Sequence, residues 1–279
     1  MMREGSVRCL DPHGFHRMRW VEWGDRDNPR VLVCVHGLTR CGRDFDFLAQ
    51  RLADSYRVVC PDIAGRGQSD WLADKADYGY PVYCADIVTM LAAVGAEAVD
   101  WVGTSMGGIL GMLLAAHPRT PVGKLVLNDV GSVVPKAALE RIGAYVGRDP
   151  AFDSLEALEA AMRSLSPFGT LTPAQWRHLA THVARRDDAG SWRFRYDPGI
   201  AMPFRAGPLA DMDLRPFWKA VRGPVLVIRG AQSDLLTPDI HAEMLARPGT
   251  ESLVVSDAGH APALMDDAQI AAVRAFLLA

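Results

Sequence analysis

A chain of 279 residues, 49% hydrophobic and 23% charged, is long enough to bury one large core, alone or with an insertion. Its net charge of −3 argues against nucleic acid or an anionic membrane as partner, and its five cysteines, odd in number and without C-x-x-C spacing, argue against a disulfide framework or a zinc site. Neither an apolar leader nor a run of transmembrane length is seen, so the chain is expected to be cytoplasmic.

In chain order, residues near 6–10 and 16–23 alternate as edge or hairpin strands do, and Asp25-Arg26-Asp27-Asn28-Pro29 reads as a turn. Val31-Leu32-Val33-Cys34-Val35 is a continuous apolar run, which suits a parallel strand covered on both faces; it ends in His36-Gly37-Leu38-Thr39. A helical pattern from about 44 to 53 leads to the strand Arg57-Val58-Val59-Cys60 and the turn-rich loop Pro61 to Ser69. Residues 80–94 are helical in pattern, with Pro81 near the start, where proline is tolerated.

Next comes the stretch that carries the chemistry. Ala98-Val99-Asp100-Trp101-Val102 reads as a strand and Ile109 to Ala116 as a helix, with Gly103-Thr104-Ser105-Met106-Gly107 between them. A strand that turns straight into a helix crowds backbone on backbone, and Gly103 and Gly107 remove the Cβ atoms that would collide. The turn holds the Ser105 hydroxyl at the carboxyl end of the strand, where the free N–H groups of the new helix favour negative charge. This is the pattern of a nucleophile elbow.

Lys124-Leu125-Val126-Leu127 is the next buried strand, ending in Asn128-Asp129. From about 133 to 217, helical stretches are broken by prolines and no strand is expected. Strand and helix alternation then resumes, through Val225-Leu226-Val227-Ile228, a helix near 239–246, Ser252-Leu253-Val254-Val255 and a last helix from about 267. The expected fold is a mainly parallel, doubly wound α/β sheet, with a core of residues 1–132 and 218–279 and a helical cap of residues 133–217.

In such a sheet, ligands bind beyond the carboxyl ends of the strands. His36, Asp62, Ser105, Asp129, Asp234 and His260 all fall there. A serine needs a base to take its proton, and the base needs a carboxylate to fix its tautomer. His260, late in the chain and after Gly259, is the expected base; His36 is expected to order its own loop instead. Asp234, which ends the penultimate strand, is the expected acid, with Asp129 as its competitor. Asp62 suits local hydrogen bonding within its turn. Two N–H donors are expected for an oxyanion, from Met106 after the nucleophile and from Leu38 after the first buried strand.

His36-Gly37, the Asp62-x-x-Gly65-x-Gly67-x-Ser69 loop, Gly103-Thr104-Ser105-Met106-Gly107, Asp234 and Gly259-His260 together resemble the α/β-hydrolase superfamily, in its cap-bearing bacterial branch of small esterases. Two branches are set apart. Ser105 stands where the haloalkane dehalogenases and epoxide hydrolases of this fold carry Asp. Leu38 and Thr39 replace the extended glycine-rich motif of the hormone-sensitive-lipase-like branch.

The resemblance implies a serine carboxylesterase that acts through an acyl-enzyme on small to medium apolar acyl groups. A C–C bond hydrolase, a lactonase, a perhydrolase and a non-catalytic ligand receptor are the alternatives. Neither cofactor nor metal is expected, and the partner is a small ester. Substrate contacts are expected from His36, Gly37, Trp176, Trp192 and Phe204. Arg185, Arg186, Arg193, Arg195 and Arg205 are candidates for a carboxylate anchor, set against a simple solvated face.

Overall fold

The computed structural model describes residues 2–279. The chain begins with an antiparallel hairpin of β1 (Arg3–Asp11) and β2 (Gly14–Trp23). Alternation follows through β3 (Val31–Val35), α1 (Asp46–Leu52), β4 (Arg57–Asp62), α2 (Tyr80–Val94), β5 (Val99–Thr104), α3 (Met106–Ala115) and β6 (Val122–Asn128). An inserted segment then carries β7 (Val133–Val134), α4 (Lys136–Tyr145), α5 (Leu155–Leu165), α6 (Pro173–Val183), β8 (Ala184–Arg186), β9 (Trp192–Phe194), α7 (Met202–Arg205), β10 (Met212–Asp213) and α8 (Arg215–Ala220). β11 (Val225–Gly230), α9 (Pro238–Leu245), β12 (Thr250–Val255) and α10 (Asp267–Leu278) complete the chain.

Eight strands form one sheet in the order β1-β2-β4-β3-β5-β6-β11-β12. From β4 to β12 all neighbours run parallel, and β2 joins β4 antiparallel. β5, which carries the serine at its end, therefore lies inside the sheet with strands on both sides.

The parallel strands are apolar on both faces because helices cover both faces. Val31, Val33, Trp101, Leu125, Leu127, Val225 and Val227 pack on one side in a cluster with residues of α2 and α3. Leu32, Cys34, Val102, Val126, Leu226 and Ile228 point to the other, against α1 and α10. The period of two along each strand sends neighbours into opposite clusters, so a one-residue slip in any strand would exchange its two packed faces.

Helix limits follow local chemistry. α2 begins after Gly79 with a proline in its first turn and ends at Gly95, whose φ of 69° is left-handed. α6 starts with a capping box: the Thr172 hydroxyl accepts from Gln175 N–H, and the Gln175 side chain accepts from Thr172 N–H.

The inserted segment departs from the expectation of helices alone. β8 pairs with β9, and β10 returns to β7, which closes the base of the insertion with a short antiparallel ribbon. These strands are two or three residues long, too short for alternation to mark them in a sequence. Leu158, Met162, Trp176, Leu179 and Val183 give the insertion a small core of its own.

Candidate active site

Ser105 sits between β5 and α3 with φ 52° and ψ −114°, a left-handed conformation that costs a non-glycine residue on the order of 1–3 kcal/mol. The surroundings hold it there. Its N–H donates to Asn128 O at 2.9 Å, and its carbonyl accepts from Gly108 N at 2.9 Å and Ile109 N at 3.0 Å. A Cβ on Gly107 would fall on the Val35 carbonyl oxygen, and one on Gly103 on the Gly107 carbonyl. Only glycine lets α3 start this close to β3 and β5.

The Ser105 hydroxyl lies 3.0 Å from His260 Nε2, and His260 Nδ1 lies 2.6 Å from Asp129 Oδ2. Asp129 is fully buried, and its carboxylate also accepts from Gly230 N at 2.9 Å and from Ser233 Oγ at 2.6 Å. The carboxylate that faces the imidazole is thus Asp129 and not Asp234. Asp234 is about half exposed, and both its oxygens accept from Arg141, at 2.5 and 2.8 Å. The reason lies in the turn after β11. Ser233 folds back onto Asp129, which leaves the next side chain, Asp234, aimed outward at α4.

His36 is fully buried. Its Nδ1–H donates to Gly37 O at 2.7 Å, and its Nε2 accepts from Ile63 N–H at 3.0 Å. Burial pushes its pKa down to about 3, so the ring is neutral and ties the loop after β3 to the loop after β4. It orders the loop, as expected, but lines neither cavity at Ser105, so the expected substrate contact from His36 is corrected.

Arg66, in the glycine-rich loop, has a role that the sequence reading missed. It is completely buried. Its guanidinium donates to Leu38 O at 2.8 Å, Ala64 O at 2.7 Å and the Tyr83 hydroxyl at 2.8 Å. It therefore holds the carbonyl of Leu38, the residue whose N–H is expected to serve an oxyanion. Signals were present in the flanking Gly65 and Gly67, at φ 83° and 54°, which let the loop turn back over Asp62. The Asp62 carboxylate accepts from Gln68 N within its own loop, as expected, and also from Gly42 N in the loop after β3, at 2.7 Å each. Burial raises its pKa to about 6 against the pull of these bonds.

Two cavities meet at Ser105 and share Leu38, Ser105 and Ile142 in their linings. The larger, about 620 Å³, is also lined by Gly37, Arg40, Arg141, Tyr145, Arg148 and His260. The smaller, about 170 Å³, is apolar, with Met106, Ile109, Val130, Tyr80 and Phe204 in its wall. Gly37 and Phe204 thus lie where substrate contacts were expected. Trp176 and Trp192 do not. Trp176 is buried in the insertion's core, stacked on Phe168 with ring centroids 5.9 Å apart, and Trp192 bridges backbone to backbone with Phe152.

The five candidate arginines of the insertion line neither cavity. Arg185 and Arg193 both pair with Asp149, Arg195 donates to Ala184 O, and Arg186 lies over the Trp192 ring. Arg40, Arg141 and Arg148 line the large cavity instead.

Among the described residues, three groups could offer metal ligands: Cys9 with His16 and Asp86; Asp46 with His178 and His182; and Asp11 with His13 and Asp77. None lines either cavity. His16 is clamped between Asp11 at 3.0 Å and Asp86 at 2.9 Å, and although burial opposes its charge, the two carboxylates raise its pKa. No helix is long and apolar enough to cross a membrane among the described residues.

Comparison with known proteins gives four findings of use. Residues 30–267 match the family model described as the alpha/beta hydrolase fold. The chain is 50% identical, over 98% of its length and 97% of the relative's, to the 3-hydroxybutyrate-oligomer hydrolase of Cupriavidus necator. A crystal structure of an alpha/beta hydrolase from Novosphingobium aromaticivorans is 37% identical with a TM-score of 0.88, covering 100% of this chain and 99% of that one. A putative hydrolase from Rickettsia typhi is 28% identical with a TM-score of 0.93, covering 100% and 99%.

Proposed function

This chain belongs to the alpha/beta hydrolase fold family, and from that premise we propose that it is a serine ester hydrolase whose substrates are short oligomers of 3-hydroxybutyrate. The observation that carries the chemistry is the unbroken relay Ser105 Oγ–His260–Asp129, with spacings of 3.0 and 2.6 Å, on the floor of a large cavity. The 50% identity over nearly the whole of both chains supports the substrate class.

In this reading Ser105 Oγ attacks the ester carbonyl as His260 Nε2 takes its proton. Asp129 holds the imidazole by Nδ1 and stabilises the imidazolium. The tetrahedral oxygen faces the N–H of Met106 and of Leu38. The Met106 N–H opens α3 and has no carbonyl a turn earlier in the helix to meet it; the Leu38 backbone is steadied by Arg66. His260 then protonates the leaving alcohol, and water, activated by the same imidazole, releases the acid from Ser105. Residues 133–217 act as the cap, since α4, α5 and β9 contribute to the wall of the large cavity. The acyl group narrows from the generic apolar acid of the sequence reading to a small hydroxyacid. An intact relay is of no use to a ligand receptor, which weighs against that alternative.

The test is hydrolysis of the dimer and trimer of 3-hydroxybutyrate, beside p-nitrophenyl esters, by the protein and by Ser105→Ala. Serine-dependent release of 3-hydroxybutyrate is expected. Oligomer turnover no greater than that of Ser105→Ala would overturn the substrate, and the same result on every ester would overturn the activity.

A further inference from the structure

A linear hydroxyacid oligomer has two different ends, and the two cavities at Ser105 differ in the same way. This inference rests on the oligomer reading above. The large cavity touches His260 and the small one does not. A leaving alcohol takes its proton from His260, so the leaving part of the substrate lies in the large cavity and the acyl part in the small one.

In such an oligomer the leaving part is the portion that ends in the free carboxylate. Cations in the large cavity are therefore on the side where a negative charge would arrive. Two of the three are already paired. Arg40 donates to both oxygens of Asp44, at 2.7 and 2.8 Å, and Arg141 to both of Asp234. Asp149 beside them is met by Arg185 and Arg193. Arg148, exposed in the loop three residues beyond α4, makes no side-chain hydrogen bond or ion pair to any described residue.

Size agrees with this assignment. The small cavity, about 170 Å³, is the tighter of the two and suits a single hydroxybutyryl unit. The large cavity, about 620 Å³, has room for the remainder of a short oligomer. Of the small cavity's phenols, Tyr78 donates to Asp197 and Tyr83 accepts from Arg66, while Tyr80 has no partner among the described residues. Tyr80 faces where the oligomer's free hydroxyl would end.

We propose that Arg148 binds the terminal carboxylate of the leaving chain, and that the enzyme thereby removes one unit at a time from the hydroxyl end. Ser105 Oγ bonds to the carbonyl carbon of the terminal unit. The bond from that carbon to the next unit's oxygen breaks, and the proton taken from Ser105 passes through His260 to that oxygen. The shortened chain leaves as an alcohol with its carboxylate intact. Water then adds to the acyl carbon, returns a proton through His260 to Ser105, and frees one hydroxyacid.

Two readouts test this on the whole protein. At initial rate, with the substrate in large excess over enzyme, a trimer labelled in its hydroxyl-terminal unit is expected to give labelled monomer and unlabelled dimer. In steady state, the ratio of kcat/KM for the trimer acid over its methyl ester is expected to fall about three- to tenfold in Arg148→Gln. The fall should appear mainly in KM, with most of the preference restored in Arg148→Lys. Thermal unfolding of each variant checks its folding, and an exposed side chain is not expected to move Tm. Label in the dimer, or an acid-to-ester ratio the same in Arg148→Gln as in the wild type, overturns the proposal while leaving an oligomer hydrolase in place. Failure of the wild type to cleave either trimer, while p-nitrophenyl butyrate is turned over, overturns the oligomer reading and this proposal with it.

Discussion

His260 Nδ1 and Asp129 Oδ2 meet at 2.6 Å across 131 residues of chain, and the same carboxylate oxygen accepts from Ser233 Oγ at 2.6 Å. A buried carboxylate with three donors is preorganised to hold one tautomer of the imidazole. Asp234, the neighbour of Ser233, instead pairs with Arg141 in solvent.

The two aspartates are therefore expected to differ sharply in mutation. Asp129→Asn should lower kcat by on the order of 10⁴, because a neutral amide no longer fixes the productive tautomer. Asp234→Asn should stay within about threefold, since a half-exposed ion pair contributes about 1 kcal/mol or less. Side-by-side kinetics on one activated ester decides it, and equal losses would mean that the acid has been misassigned.

Arg66 should act on rate through Leu38. Arg66→Met leaves the Leu38 and Ala64 carbonyls without their donor and frees the loop that carries Leu38, a proposed oxyanion donor. The expected loss is about tenfold or more in kcat with KM little changed, short of the 10²–10³ seen when such a donor is removed outright. A variant that raised KM and kept kcat would place Arg66 in ground-state binding instead.

His36 gives the stability a pH slope of known sign. Its pKa is 6.5 ordinarily and about 3 when buried in the fold. Between these values the unfolded chain binds a proton that the folded chain does not, so stability falls as pH drops through this window. The slope approaches about 1.4 kcal/mol per pH unit from this one group. Urea unfolding from pH 6.5 to 4 should show a shallower decline in His36→Gln than in the wild type, whatever the variant's absolute stability. Parallel lines would contradict a neutral, buried His36.

Gly107 should tolerate no side chain. Gly107→Ala puts a methyl group on the Val35 carbonyl oxygen, backbone that cannot swing aside. A loss of about 3 kcal/mol or more is expected, together with loss of turnover, because any relief moves α3 away from β3. Gly190→Ala, at a position with nothing within 4 Å, is the control for handling a glycine substitution. The Gly190 φ of 80° confines its expected cost to backbone strain of about 1 kcal/mol.

Much of this molecule was legible before its structure. Apolar runs bounded by turns located β3, β4, β5, β6 and β11, because a strand buried on both faces reads as a nearly continuous apolar run. α2 begins and ends at the expected residues, Tyr80 and Val94, since proline and glycine mark its ends. Ser105 was readable from the glycines of its strand-to-helix turn, and His260 from its place late in the chain, after a strand and Gly259.

Other features depended on what meets in space. Whether Asp129 or Asp234 faces His260 rests on how the turn after β11 folds, and one hydroxyl, that of Ser233, decides it. Which arginines reach the cavity rests on the orientation of α4 and of the β8–β9 ribbon, whose strands are too short to leave a periodic trace. Local sequence thus determined the sheet, the elbow and the place of His260, because each is specified by residues adjacent in the chain. The carboxylate that faces His260, the buried Arg66 and the split of the site into two unlike cavities were decided only by tertiary structure, because each depends on a contact between segments that the sequence keeps far apart.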